Sequence, residues 1–184
     1  YEKAEQGHIF CKYLIANAYY YGTVSDFLDL TPEQIGTKKY ERLQYEWTAI
    51  AMRLYEVCVA AGLGIAIPNL VDIFRTGRHG APVQNQRAKT YIHKGAEMGI
   101  GDYERIVGNQ YRDEGKLTKA VELYERALLH KDDYAYYCLG KLYTFNGALP
   151  LDLKKALFYL EEGYARLSDD TGFCNLLGEI YFRG

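Results

Sequence analysis

Apolar positions return every three or four residues along most of the chain, the spacing of one face of a helix. Three segments repeat one pattern: VGNQY at 107–111, LGKLY at 139–143 and LGEIY at 177–181. LVDIF at 70–74 and IANAY at 15–19 are weaker copies. Aligned on the second position, the copies stand at Ala16, Val71, Gly108, Gly140 and Gly178, in steps of 55, 37, 32 and 38 residues. A glycine follows each aromatic residue three or four places on, at Gly22, Gly77, Gly115, Gly147 and Gly184. Glycine just past a periodic run is a helix stop, because it accepts the left-handed conformation. A second amphipathic run then opens on a basic residue and Ala: RAKTYIHKGA from Arg87, KAVELYERAL from Lys119 and KALFYLEEGY from Lys155.

A fixed period of this length is the signature of a repeat array. The pattern predicts an all-α fold, an α/α solenoid of stacked helix-turn-helix repeats with five first helices and four second helices. Residues 1–61 form a divergent first repeat, its second helix at 41–61. Residues 23–40 are an irregular insertion that accounts for the long first step. Residues 62–184 form the regular array, whose last repeat is incomplete. Its apolar positions Leu176, Leu177 and Ile180 then call for continuing chain or for a partner.

Glycine inside a helix costs ~1 kcal/mol relative to Ala, so Gly108, Gly140 and Gly178 require an offsetting gain. Close approach of each first helix to its second helix supplies it, with Ala88, Ala120 and Ala156 as the facing small residues. Tyr111, Tyr143 and Tyr181 would fill the space beside them.

These segments resemble the Sel-1-like repeat family, related to the tetratricopeptide repeats. The matches are GALPLDLKKALFYLEEGY at 147–164 and GRHGAPVQNQRAKTYIHKGAEMG at 77–99. Residues 108–127 keep the shorter tetratricopeptide spacing, with Gly108, Tyr111, Ala120, Tyr124 and Ala127. The resemblance runs from about residue 60 onward and implies a non-catalytic adaptor or scaffold that binds other proteins, as bacterial and eukaryotic members do. Exported members that staple each hairpin with a disulfide need two cysteines per repeat. Cys138 and Cys174 instead occupy equivalent first helices of successive repeats, a departure from that branch.

Composition narrows the classes. The formal net charge is −2, from 22 basic and 24 acidic residues, which gives no overall positive field for nucleic acid. No apolar run approaches the ~18 residues of a membrane span. The chain opens YEKAEQGH, without a signal-peptide pattern. Four cysteines without a CxxC pair read as small core residues in a reducing compartment, the cytoplasm in the first place. A periplasmic or secreted site stays open if the chain is a piece of a longer one. His8, His79, His93 and His130 lack metal-ligand spacing. Ser25 and Ser168 lack a nucleophile motif. No catalytic residue, metal or small-molecule cofactor is expected. Asp132–Asp133, Asp169–Asp170 and Asp152 precede helices and read as caps.

The first helices should line a groove. Their inward positions flank the aligned small residue by helical geometry. The candidate partner-binding residues are Asn17, Tyr20, Asp72, Arg75, Arg105, Asn109, Arg112, Tyr137, Lys141, Asn175 and Glu179. Arg105, Asn109 and Arg112 share one face at spacings of four and three. With Lys141 they would grip an acidic partner segment, Asn109 reading its backbone through both carboxamide groups. Arg105 and Asn109 resemble half of the carboxylate clamp of some tetratricopeptide domains; the other clamp positions hold Cys138, Gly172 and Leu176. The alternative for these charges is pairing within the chain, with Asp72 or Asp102. Other functions stay open: an inhibitor or immunity-type protein that occludes a toxin or enzyme, an enzyme or sugar-binding module using the Tyr-rich N-terminal third, and an RNA binder using a local basic groove.

Overall fold

The computed structural model of the chain describes residues 2–27, 37–144, 148–168 and 170–183, with backbone alone for 2–6 and 27. Nine α-helices follow one another among the described residues: α1 (Glu2–Tyr21), α2 (Lys38–Ala60), α3 (Ile67–Thr76), α4 (Asn85–Glu97), α5 (Gly101–Asp113), α6 (Leu117–Leu129), α7 (Tyr134–Leu142), α8 (Leu153–Arg166) and α9 (Thr171–Arg183). They are the five first helices (α1, α3, α5, α7, α9) and four second helices predicted by the repeat. None of them is long and apolar enough to cross a membrane. The insertion is shorter than the sequence reading. Residues 23–27 form a 3-10 turn and α2 already begins at Lys38, because the Thr37 hydroxyl accepts a hydrogen bond from the Tyr40 amide. The remainder of the insertion lies outside the described residues.

Packing divides the chain into two compact units, residues 1–92 and 93–184. In the first unit α1 lies along α2, and α2 meets α3 and the turn after it. Tyr55, Phe74, Leu70 and Ile67 are fully buried there. In the second unit α5 packs on α6, α7 on α8, and α8 on α9. Tyr124, Leu139, Leu160 and Phe173 fill that core.

The crossing glycines act as the sequence predicts at two positions and not at the third. A Cβ on Gly108 would stand 2.7 Å from the Tyr124 ring, and one on Gly140 would stand 2.6 Å from Leu160 Cγ. The group facing each glycine is thus a large side chain of the second helix. Ala120 and Ala156 are buried but are not the knobs. At Gly178 an added Cβ would meet nothing within 4 Å, and Tyr181 is exposed rather than a filler. Among the stop glycines, Gly22, Gly77 and Gly115 have positive φ; Gly147 and Gly184 fall outside the described residues.

Asp152 caps α8, accepting from the Lys155 amide at 3.1 Å. Asp133 holds the capping position of α7 but makes no side-chain cap bond. Asp132 accepts from the Tyr134 amide and is engaged in a buried ion pair, described below. Asp170 accepts from the Gly172 amide at 2.7 Å. All four cysteines are free, but only Cys58 is fully buried, while Cys11 and Cys174 are exposed. The expectation of four core cysteines fails because alternate faces of α1 and α9 are left uncovered.

Candidate partner-binding surfaces

In the first unit, Asn17 of α1 faces α2. Its Oδ1 accepts from the Tyr55 hydroxyl at 2.7 Å and from Asn69 Nδ2 at 3.2 Å. Tyr20 is 5% exposed, and its hydroxyl donates to Asp72 Oδ2 at 2.6 Å. The Arg78 guanidinium lies over the Tyr20 ring, 4.2 Å from its centroid, and its Nη1 is 3.7 Å from Asp72. Burial, and then the Asp72 carboxylate, push the Tyr20 phenol well above its ordinary range. Tyr20 and Asp72 are therefore partners of one another, which removes them from the solvent-facing set. Arg75 is exposed. The structure adds Tyr55, Asn69 and Arg78 to this network, residues that helical spacing alone does not single out.

In the second unit, Asn109 of α5 holds the same register as Asn17 and makes the same bond. Its Oδ1 accepts from the Tyr124 hydroxyl at 2.8 Å, from Arg112 Nη1 at 3.1 Å and from the Cys138 thiol at 3.8 Å. Tyr55 and Tyr124 are both fully buried, and burial raises both phenols well above the ordinary range. A buried hydroxyl without a partner would cost about 1–3 kcal/mol, so each Tyr is matched to an Asn across its hairpin. The Asn carbonyl is spent on this bond, leaving the carboxamide nitrogen of Asn109 without a partner among the described residues. Reading of a peptide backbone through both carboxamide groups, as expected from sequence, is reduced to the N–H donors.

Arg105 is engaged on both sides. Its Nε donates to Asp132 at 2.6 Å and its Nη2 to Asp102 at 3.0 Å. Asp132 is almost fully buried, and desolvation pushes its carboxyl up while Arg105 works against that rise. The intrachain alternative thus holds for Arg105, with Asp102 and Asp132 as its partners. Arg112 pairs with the neighbouring Asp113 at 2.8 Å. Lys141 is exposed, with its Nζ 5.8 Å from the Tyr137 ring centroid and no carboxylate partner among the described residues. Tyr137 stands edge-on to Phe173 at 5.5 Å. Asn175 is exposed, and Glu179 pairs with Arg183 at 3.3 Å on the same helix. The Cys138 contact to Asn109 sets α7 beside α5 one helical turn before Lys141.

Sequence reasoning missed Glu104, a fully buried carboxylate on α5. Its Oε2 lies 2.7 Å from His130 Nδ1, and its Oε1 lies 2.7 Å from Arg126 Nη2. The Arg126 contact is ionic, since Oε1 has no partner in hydrogen-bond geometry. No repeat signal could have found it, because the equivalent register holds Lys12, Ile67, Tyr136 and Cys174. Beside it, a cleft of about 470 Å³ is lined by Gly99, Asp102, His130, Asp132, Asp133 and Tyr134.

No protein-family model matches the sequence, and no curated protein matches it. Solved structures do match. A Sel1 repeat protein from Oxalobacter formigenes aligns over 94% of this chain and 75% of its own, with 22% identity and a TM-score of 0.58. A protective antigen of uropathogenic Escherichia coli displaying an SLR fold aligns over 87% of this chain, with 17% identity and a TM-score of 0.52. This chain spans 38% of the length of that antigen. Both neighbours are bacterial proteins built from the same helical unit. With the helix order, the glycine crossings and these neighbours in agreement, the chain has the all-α fold of Sel-1-like repeat proteins.

Proposed function

We propose that the chain is a protein-interaction scaffold, and that the α5–α7 face of its second unit contacts an acidic partner segment. The observation that carries this reading is the Asn109 carboxamide. Its oxygen is fixed by a buried tyrosine of the facing helix and its nitrogen is left to donate, a pre-oriented reader of backbone carbonyls. Lys141 supplies the charge that no carboxylate among the described residues offsets, and Arg112, paired with Asp113, helps hold the Asn109 oxygen. Arg105 serves as a support, because Asp132 and Asp102 already neutralise it. Repeat arrays bind partners along such helix faces.

The test begins with capture of the partner by the intact chain and its identification by mass spectrometry. That partner is then titrated against wild type and the Arg112→Ala, Lys141→Ala double variant at two salt concentrations. A charge-reading face loses ~2 kcal/mol or more of binding and much of its salt dependence. Arg105 is left intact, since its removal would strand the buried Asp132 carboxylate and confuse folding with binding. Unchanged affinity of a folded double variant would move the contact surface elsewhere.

A further inference from the structure

We infer that the Asp132 carboxylate is an internal stand-in for a partner carboxylate, which holds Arg105 at neutral pH and releases it to the α5–α7 face on acidification. This rests on the reading of that face as the surface that contacts an acidic segment.

Arg105 lies on α5 one turn before Asn109 and carries the fork that suits a partner carboxylate. Asp132, from the turn between α6 and α7, already engages it: its Oδ2 accepts from Arg105 Nε at 2.6 Å. Its Oδ1 accepts from the Tyr134 amide at 3.1 Å, which fixes the carboxylate at the start of α7. Arg105 belongs to one cationic set with Arg112 and Lys141. All three act on the same thiol, Cys138, which burial pushes up and these cations pull down. Arg112 is paired with Asp113, and Lys141 has no carboxylate partner among the described residues. Asp102, the other partner of Arg105, is 70% exposed, a surface pair that solvent screens and an incoming anion can displace. The contact with Asp132 is therefore the one that withholds Arg105 from a partner.

Burial sets Asp132 apart from the other carboxylates of this face. Its side chain is 4% exposed, against 70% for Asp102 and 68% for Asp113. Desolvation raises its carboxyl, Arg105 opposes the rise and Asp102 adds to it. A carboxyl raised in the folded chain binds its proton more tightly there than in the unfolded chain. Acidification through its range therefore adds stability at this site rather than removing it. Protonation takes away the ionic part of the bond to Arg105. Solvent has a route to the group, because Asp132 lines a cleft of about 470 Å³. The other charged groups around it have their own partners or face water. Glu104 on α5 is held by Arg126 on α6 and by His130 just after it. Asp133 lies 3.6 Å from Arg166 of α8, and Lys131 is exposed on the same turn. Histidine also gains charge on acidification, so the variants below separate Asp132 from His130.

The probe is a short capped peptide carrying two cysteic acid residues, whose sulfonates stay charged throughout. Its binding to the full chain is measured from pH 7.5 down to pH 4, and NMR follows the Arg105 Nε–H signal over the same range without ligand. In the wild type that signal should move in step with the Asp132 carboxyl carbon, and probe binding should tighten several-fold over the same interval. Asp132→Asn keeps an acceptor for the Tyr134 amide and removes the charge. It should bind the probe several-fold tighter than wild type at pH 7.5 and lose the pH dependence. Asp133→Asn makes the same change of net charge one residue away and should bind close to wild type. Equal binding by wild type and Asp132→Asn, an equal gain in Asp133→Asn, or no probe binding by any form would each overturn the proposal. A pH response that persists in Asp132→Asn would assign it to His130 and overturn it as well. Should Asp132→Asn fold poorly, the wild-type titration still decides, since an Arg105 signal that stays fixed down to pH 4 means that Arg105 is not released. That signal needs no ligand, so a fixed signal sinks this inference alone, whereas the surface reading fails on unchanged partner affinity of the Arg112→Ala, Lys141→Ala variant.

Discussion

Glycines at equivalent places in successive repeats should respond to the same substitution with opposite signs. In a helix interior Ala is favoured over Gly by ~1 kcal/mol. At Gly178 an added Cβ meets nothing within 4 Å, so Gly178→Ala keeps that gain. At Gly140 the added carbon would lie 2.6 Å from Leu160 Cγ, 2.8 Å from its Cδ2 and 3.4 Å from the Ala156 carbonyl oxygen. Carbon atoms pack at about 3.5–4.0 Å, so roughly an ångström must be found. Leu160 is fully buried, and Cγ is its branch point rather than a flexible tip. α7 and α8 must therefore separate, and overpacking of this kind costs ~1–3 kcal/mol. After the helix gain is subtracted, Gly140→Ala should lose about 1 kcal/mol, and Gly140→Leu considerably more. For a chain of this size 1 kcal/mol moves Tm by about 2–4 °C. Melting followed by circular dichroism should show Gly140→Ala falling by about 3 °C and Gly178→Ala rising by a similar amount. Shifts of the same sign would refute the assignment of Gly140 as a helix crossing.

Two further expectations concern buried side chains. Tyr20, Tyr55 and Tyr124 have phenols raised above their ordinary value near 10, chiefly by burial. Their folded states hold protons that the unfolded chain loses, so stability is full below pH 10 and declines as pH rises from there toward the folded values. Each phenol contributes a slope of up to ~1.4 kcal/mol per pH unit. Urea unfolding between pH 9 and pH 12 checks this; flat stability alongside early phenolate absorbance would contradict the burial. Cys11 and Cys174 are exposed, whereas burial pushes the Cys58 and Cys138 thiols up. A thiol reagent should therefore label the first pair in the native protein and the second pair only on unfolding, read by peptide mass mapping.

The class of fold was legible in the residues alone. Apolar residues at helical spacing, a small residue at a fixed place and a glycine stop are local signals, repeated because each hairpin solves the same packing problem. Gly108 and Gly140 were legible as crossings for that reason, and Asp152 as a cap, since a cap depends only on the next three residues. Gly178 shows the limit: the pattern is present, but a crossing needs a second helix against it, and none of the described residues supplies one. The site was less legible because it depends on pairs far apart in the chain. Arg105, Asn109 and Arg112 were placed on one face by spacing alone. That Asp132 would neutralise Arg105, and that Tyr124 would take the Asn109 oxygen, follows only from the packing of α6 and α7 against α5. Glu104 is the extreme case, a carboxylate with no repeat counterpart, buried because Arg126 and His130 arrive from the next helix. Periodicity fixes which face a residue occupies. Tertiary packing decides which charges and hydrogen bonds on that face are already satisfied within the chain, and so which remain to recognise a partner.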